Sequence, residues 1–153
     1  MNYDIRMEQF PGAPLAVVRR QARLQELGKV IPEACGTVWN AMRAQNIQGA
    51  GRHVAVYLDD VMNIDIGVEL ATPLPANARD VSASHLPSGP VLMTTHFGPY
   101  QNLANAHQAI QQWCRTNQRI PIRPCWELYG HWQSDWNHAP EKIRTDIFYL
   151  LAP

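Results

Sequence analysis

Hydrophobic and polar positions change period several times along the chain, and each change marks an element. Residues 2–9 alternate apolar and polar side chains, which predicts a first strand, stopped by Pro11, Gly12 and Pro14. Residues 15–24, rich in Val and Arg, suit a second strand with one solvated edge. Ile31, Ala34, Cys35, Val38, Trp39 and Met42 then recur at helical spacing, with Pro32 in the first turn of the predicted helix. Residues 53–58 and 63–70 read as two strands of a hairpin turned at residues 59–62. A proline-bearing connector, residues 72–78, leads to a short strand near residues 80–86 and the Pro87-Ser88-Gly89-Pro90 turn.

The same order follows again. Residues 91–97 form a strand closed by Gly98-Pro99. Leu103, Ala106, Ile110, Trp113 and Cys114 make a second helical stripe, and residues 123–129 and 144–151 two more strands. Val17 aligns with Leu92, Trp39 with Trp113, Tyr57 with Tyr129, and Asp65-Ile66 with Asp146-Ile147. The pattern predicts an α+β chain of two strand-helix-strand-strand halves, about residues 14–71 and 89–151, within one domain spanning 1–153. A single helix leaves one sheet face of each half bare. The expected arrangement is an antiparallel sheet with both helices on one face and a ligand groove on the other.

Composition narrows the classes. Thirteen basic residues balance thirteen acidic ones, with no basic run, which argues against nonspecific nucleic-acid binding. No stretch approaches the roughly 20 apolar residues of a membrane helix, and the N-terminus has no signal-peptide pattern. Three cysteines without a CxxC pair suit a reducing compartment, so the expected location is cytoplasmic.

The second half carries the densest motifs: Leu86-Pro87-Ser88-Gly89, Thr95-His96-Phe97-Gly98-Pro99-Tyr100, a helix bearing Trp113, Pro124-Cys125-Trp126-Glu127-Leu128-Tyr129, and Arg144-Thr145-Asp146-Ile147. In order and spacing these resemble the GyrI-like family, which includes the effector-binding domains of AraC-type and MerR-type multidrug regulators. The resemblance implies a duplicated architecture that binds lipophilic, often cationic, drugs between its halves, where a strand glutamate faces aromatic rings. Glu127 matches that glutamate. Other members inhibit DNA gyrase or hydrolyse strained carboxylic esters. No helix-turn-helix precedes the motifs, so direct DNA binding is not expected.

Strand alternation puts Cys125, Glu127 and Tyr129 on one face and Trp126 and Leu128 on the other, with Ala55 and Tyr57 on the matching strand. From the residues alone Glu127 is either a solvated carboxylate paired with Arg123 or Arg144, or a ligand contact; the resemblance favours the latter. The candidate ligand-binding set is Glu127, Tyr57, Tyr129, Trp126, Trp132, Trp136 and Tyr149. Trp126 is open to a core reading, and Trp132 and Trp136, on a long loop, are lid candidates. His131, Asp135 and His138 fit no zinc spacing and no phosphate loop occurs, so no metal or cofactor is expected; without a GxSxG elbow a serine-hydrolase reading lacks its nucleophile. The expected function is stand-alone binding of lipophilic cations. The alternatives are an ester hydrolase, with Glu127 as catalytic base and a tyrosine polarising the carbonyl, and a gyrase-inhibitor-like interaction protein.

Overall fold

A computed structural model describes residues 2–153. It contains eight strands: β1 (Arg6–Phe10), β2 (Ala13–Gln21), β3 (Ala50–Tyr57), β4 (Asn63–Leu70), β5 (Ser82–Leu86), β6 (Gly89–Phe97), β7 (Pro121–Tyr129) and β8 (Arg144–Leu151). Two long helices, α1 (Leu27–Ala44) and α2 (Leu103–Thr116), precede β3 and β7. All pairings are antiparallel in one sheet, ordered β1-β6-β8-β7-β3-β4-β2-β5. No described helix is long and apolar enough to cross a membrane. Helix α1 begins one turn earlier than its stripe predicts, which leaves Pro32 inside it; the carbonyl deprived of a donor is that of Gly28, still at the N-terminal end.

That order is unchanged when the chain's two halves are exchanged and the sheet is read from its other edge. The register makes the correspondence exact residue by residue: Ala55 opposes Ile66 as Glu127 opposes Ile147, and Tyr57 opposes Ile64 as Tyr129 opposes Thr145. Tyr57 and Tyr129 are therefore equivalent, as are Asp65 and Asp146. Val17 corresponds to Met93 rather than Leu92, because Val17 opposes Gly67 as Met93 opposes Phe148. The buried helical positions Ala34, Val38 and Met42 match Ala106, Ile110 and Cys114, so Trp39 and Trp113 are not equivalent.

The repeat also includes the first strands, which exchange partners. β1 pairs with β6 of the other half, and β5 pairs with β2. Only Pro11 and Gly12 link β1 to β2, although six strand spacings separate them in the sheet order. A flat sheet would need about 29 Å there, whereas three Cα steps reach about 11 Å. The sheet must curl until its edges meet. Gly12, at φ +85°, passes so near the second link that a Cβ on it would lie 3.1 Å from the Leu86 carbonyl oxygen.

Curling gives the two faces different tasks. The inner face is a closed apolar core including Leu15, Val54, Leu86, Trp126, Leu128 and Phe148. Trp126 stacks on Phe148 at 5.5 Å, and Phe10 sets its edge against both rings at 5.3 Å. The helices cover the outer face, α1 over β2 and β4 and α2 over β6 and β8, which leaves central β3 and β7 beneath the seam between them. The expected antiparallel α+β sheet with both helices on one face is observed. The face opposite the helices is filled by the aromatic core, and Glu127 lies on the helix side.

Candidate functional site

Glu127 stands two residues before the C-terminal end of β7, and the parity of the strand turns it away from Trp126 and Leu128 toward the helices. Its side chain is buried, 4% exposed, yet among the described residues no arginine or lysine reaches it. Arg123 pairs with Asp60 and Arg144 with Asp146 instead. Three groups satisfy the carboxylate. Tyr57 donates to Oε1 at 3.1 Å and Tyr129 to the same oxygen at 2.5 Å. His107, from α2, holds Oε2 through Nε2 at 2.6 Å. Among the described residues His107 is the one ion-pair partner of Glu127.

The network continues outward. His107 Nδ1 meets the Tyr149 hydroxyl at 2.7 Å, and Gln111 donates to that hydroxyl at 3.2 Å. The imidazole also lies edge-on to the rings of Tyr57 and Tyr149, with centroids 6.2 and 5.6 Å away. In the short helical turn just before α2, the half-exposed Tyr100 packs perpendicular to Tyr129 with ring centroids 5.7 Å apart, an aromatic path from the surface to the carboxylate.

Burial fixes the protonation of the surrounding groups. Loss of water, then the charge of Glu127, holds the Tyr57 and Tyr129 hydroxyls well above the ordinary phenol range, and burial raises Tyr149 as well. All three stay neutral donors at physiological pH. Burial likewise pushes the Cys125 thiol, beside Tyr149 on the neighbouring strand, up to about 11, against the opposing pull of Arg123. Chemically the site is a desolvated carboxylate in an aromatic wall, able to accept charge and unable to supply a thiolate or phenolate.

Of the sequence candidates, Glu127, Tyr57, Tyr129 and Tyr149 converge on one network. Trp126 is fully buried on the opposite face, because consecutive strand residues point to opposite sides. Trp132 and Trp136 pack on each other in the β7–β8 loop, where Trp136 sits against Gly130, and they make no bond to the carboxylate. Asp65 and Asp146 point to the inner face and are taken up by Arg19, and by Thr95, Arg52 and Arg144. Sequence reasoning missed His107 and Gln111. The available signal was a polar pair at i and i+4 flanking the stripe of Leu103, Ala106 and Ile110.

No protein-family model and no curated protein matches the chain. Solved structures do. The C-terminal domain of EcmrR superposes with a TM-score of 0.79 at 19% identity, over 99% of both chains. In a DNA complex of EcmrR the match takes in 97% of this chain and 57% of that one, with a TM-score of 0.75 and 17% identity. SAV2435, solved bound to tetraphenylphosphonium, matches with a TM-score of 0.70 at 13% identity, over 99% of this chain and 94% of that one. A hydrolase encoded by lin2189 from Listeria innocua matches with a TM-score of 0.62 at 10% identity, over 97% and 91%. At these identities the likeness concerns the fold: the chain shares its curled, pseudo-symmetric architecture with the C-terminal domain of EcmrR and with SAV2435.

Proposed function

We propose that this protein binds lipophilic, cationic small molecules at Glu127, in the seam between α1 and α2. The observation that carries this reading is a carboxylate 4% exposed, with no arginine or lysine partner among the described residues and walled by tyrosine rings. Burying such a charge is costly unless an opposite charge joins it. A delocalised organic cation supplies that charge at little desolvation cost of its own, and each aromatic face adds roughly 0.5–2 kcal/mol of cation–π attraction. The recognised features are charge and aromatic area rather than one outline, which suits a range of drug-like effectors. SAV2435, of the same fold, was solved with tetraphenylphosphonium, and that cation is the natural probe.

The test is calorimetric titration with tetraphenylphosphonium and with neutral triphenylphosphine oxide. Glu127→Gln is expected to weaken the cation about 30-fold or more, the order of one desolvated charge interaction, and to leave the neutral compound within about threefold. Equal loss for both, or no binding of the cation to the native protein, refutes the proposal.

The Glu127–Tyr arrangement and the hydrolase of the same fold also motivate an ester-hydrolase reading, with Glu127 activating water and a tyrosine polarising the carbonyl. Both hydroxyls donate to Oε1, however, and so serve the carboxylate rather than an oxyanion. Turnover of activated esters that disappears in Glu127→Gln would carry this reading; absence of turnover across a broad ester panel would end it.

A further inference from the structure

The ligand site just proposed contains an occupant supplied by the chain itself. We infer that His107 is a displaceable plug: its imidazole takes the position on Glu127 Oε2 that a cationic ligand needs, and it has to leave for that ligand to bind. The inference rests on the binding reading and deepens it by naming the residue that sets affinity.

Geometry makes the case. The only bond to Oε2 among the described residues comes from His107, at 2.6 Å, while Tyr57 and Tyr129 share Oε1. A cation approaching the carboxylate from the α2 side therefore meets the imidazole first. The ring lies edge-on to Tyr57 and Tyr149, so it fills the aromatic space in which a planar group would seek its cation–π contacts. It is also the more exposed partner, 19% against 4% for Glu127. Rotation of its side chain toward solvent uncovers Oε2 without moving β7. What restrains that rotation is the Tyr149 hydroxyl on Nδ1, itself steadied by Gln111.

The repeat shows that the fold does not require this pair. The buried positions of the two helices place Cys35 of α1 where α2 has His107, and the strand register places Ala55 where β7 has Glu127. One half closes the same seam with a thiol and a methyl. The other half uses a titratable ring and a carboxylate, which burial penalises unless each satisfies the other. The polar pair is an addition to a framework that packs without it.

The experiment titrates tetraphenylphosphonium into native protein, His107→Ala, Glu127→Gln and the double variant. His107→Ala is expected to bind about tenfold tighter, the order expected when a charge-assisted hydrogen bond no longer has to be broken first. The gain is expected to vanish in the Glu127→Gln background, because the competition is for that carboxylate. If native protein binds and His107→Ala binds equally or more weakly, His107 is a bystander or a ligand contact; the plug is overturned and the binding function stands. If neither binds, both fall. Should His107→Ala lose its native circular dichroism, Tyr149→Phe provides the second reading: it frees Nδ1 and is expected to tighten binding about threefold. Unchanged or weaker binding by that variant overturns the plug.

Discussion

Glu127 and Ala55 face each other across the β3–β7 pair, and the internal repeat makes them the same position in the two halves. The carboxylate therefore sits at the pseudo-twofold axis, with a methyl group as its mirror. Symmetry supplies the setting, two tyrosines arriving from equivalent strand ends onto one oxygen. Its breaking supplies the charge, since only one of the two central positions carries a carboxylate.

Restoring the symmetry is expected to be costly. Ala55→Glu would place a second buried carboxylate against the first, and two such groups cannot both stay ionised at close range. About 3–5 kcal/mol of stability at pH 7 is the expected loss, the scale of an uncompensated buried charge. Sharing a proton raises a carboxyl's folded-state pKa, so the folded variant binds more protons than the unfolded one and its deficit shrinks as pH falls. Urea unfolding at pH 7 and pH 5 checks both the size and the sign.

The tyrosine rings and hydroxyls are expected to separate in binding. Tyr57→Phe keeps the aromatic face and removes one donor from Oε1, leaving cation affinity unchanged or slightly higher. Tyr57→Leu removes the face and is expected to cost about tenfold in affinity, within the usual range of a desolvated cation–π contact. Titration calorimetry with tetraphenylphosphonium distinguishes the two; equal loss in both variants would assign the effect to the hydroxyl.

Thiol chemistry at the site is expected to be slow. Burial pushes Cys35 and Cys125 each up to about 11 from an ordinary value of 9.0. Two pH units correspond to about a hundredfold less thiolate, the reactive form, at pH 8. Alkylation by iodoacetamide, followed by mass spectrometry of the peptides, should run about a hundredfold slower than for a free thiol. Rapid labelling at Cys125 would mean that the seam opens readily.

Two glycines offer a matched pair. A Cβ at Gly67, on β4, would fall within 1.8 Å of the Ala16 carbonyl oxygen on β2, a backbone contact that no side-chain rotation relieves. Gly67→Ala is expected to cost about 3 kcal/mol or more, as large backbone-displacing substitutions do. Gly36 lies on the exposed side of α1, where an added Cβ would meet nothing within 4 Å beyond its chain neighbours and the helix's own backbone, and Gly36→Ala is expected to add roughly 0.5–1 kcal/mol. Thermal melts of the two variants should move in opposite directions.

Local pattern made much of this protein legible. Alternation alone separates Glu127 from Trp126, helical spacing marks α1 and α2, and the match of Tyr57 with Tyr129 and of Asp65 with Asp146 appears in the sequence as a repeat. These are properties of a chain compared with itself, and the geometry of a single strand or helix dictates them. Periodicity is silent about distance. It places Glu127 and the apolar face on opposite sides without saying which side the helices will cover. The curl that fills the inner face comes from two-residue links between strands at opposite ends of the sheet order, a constraint that exists only once β1 has paired with β6 and β5 with β2. His107 could be placed on Glu127 only by that packing, because the two are twenty positions apart in the chain and belong to different elements. The sequence by itself determined which side chains share a face; tertiary structure decided which faces meet, and so which group holds the buried charge.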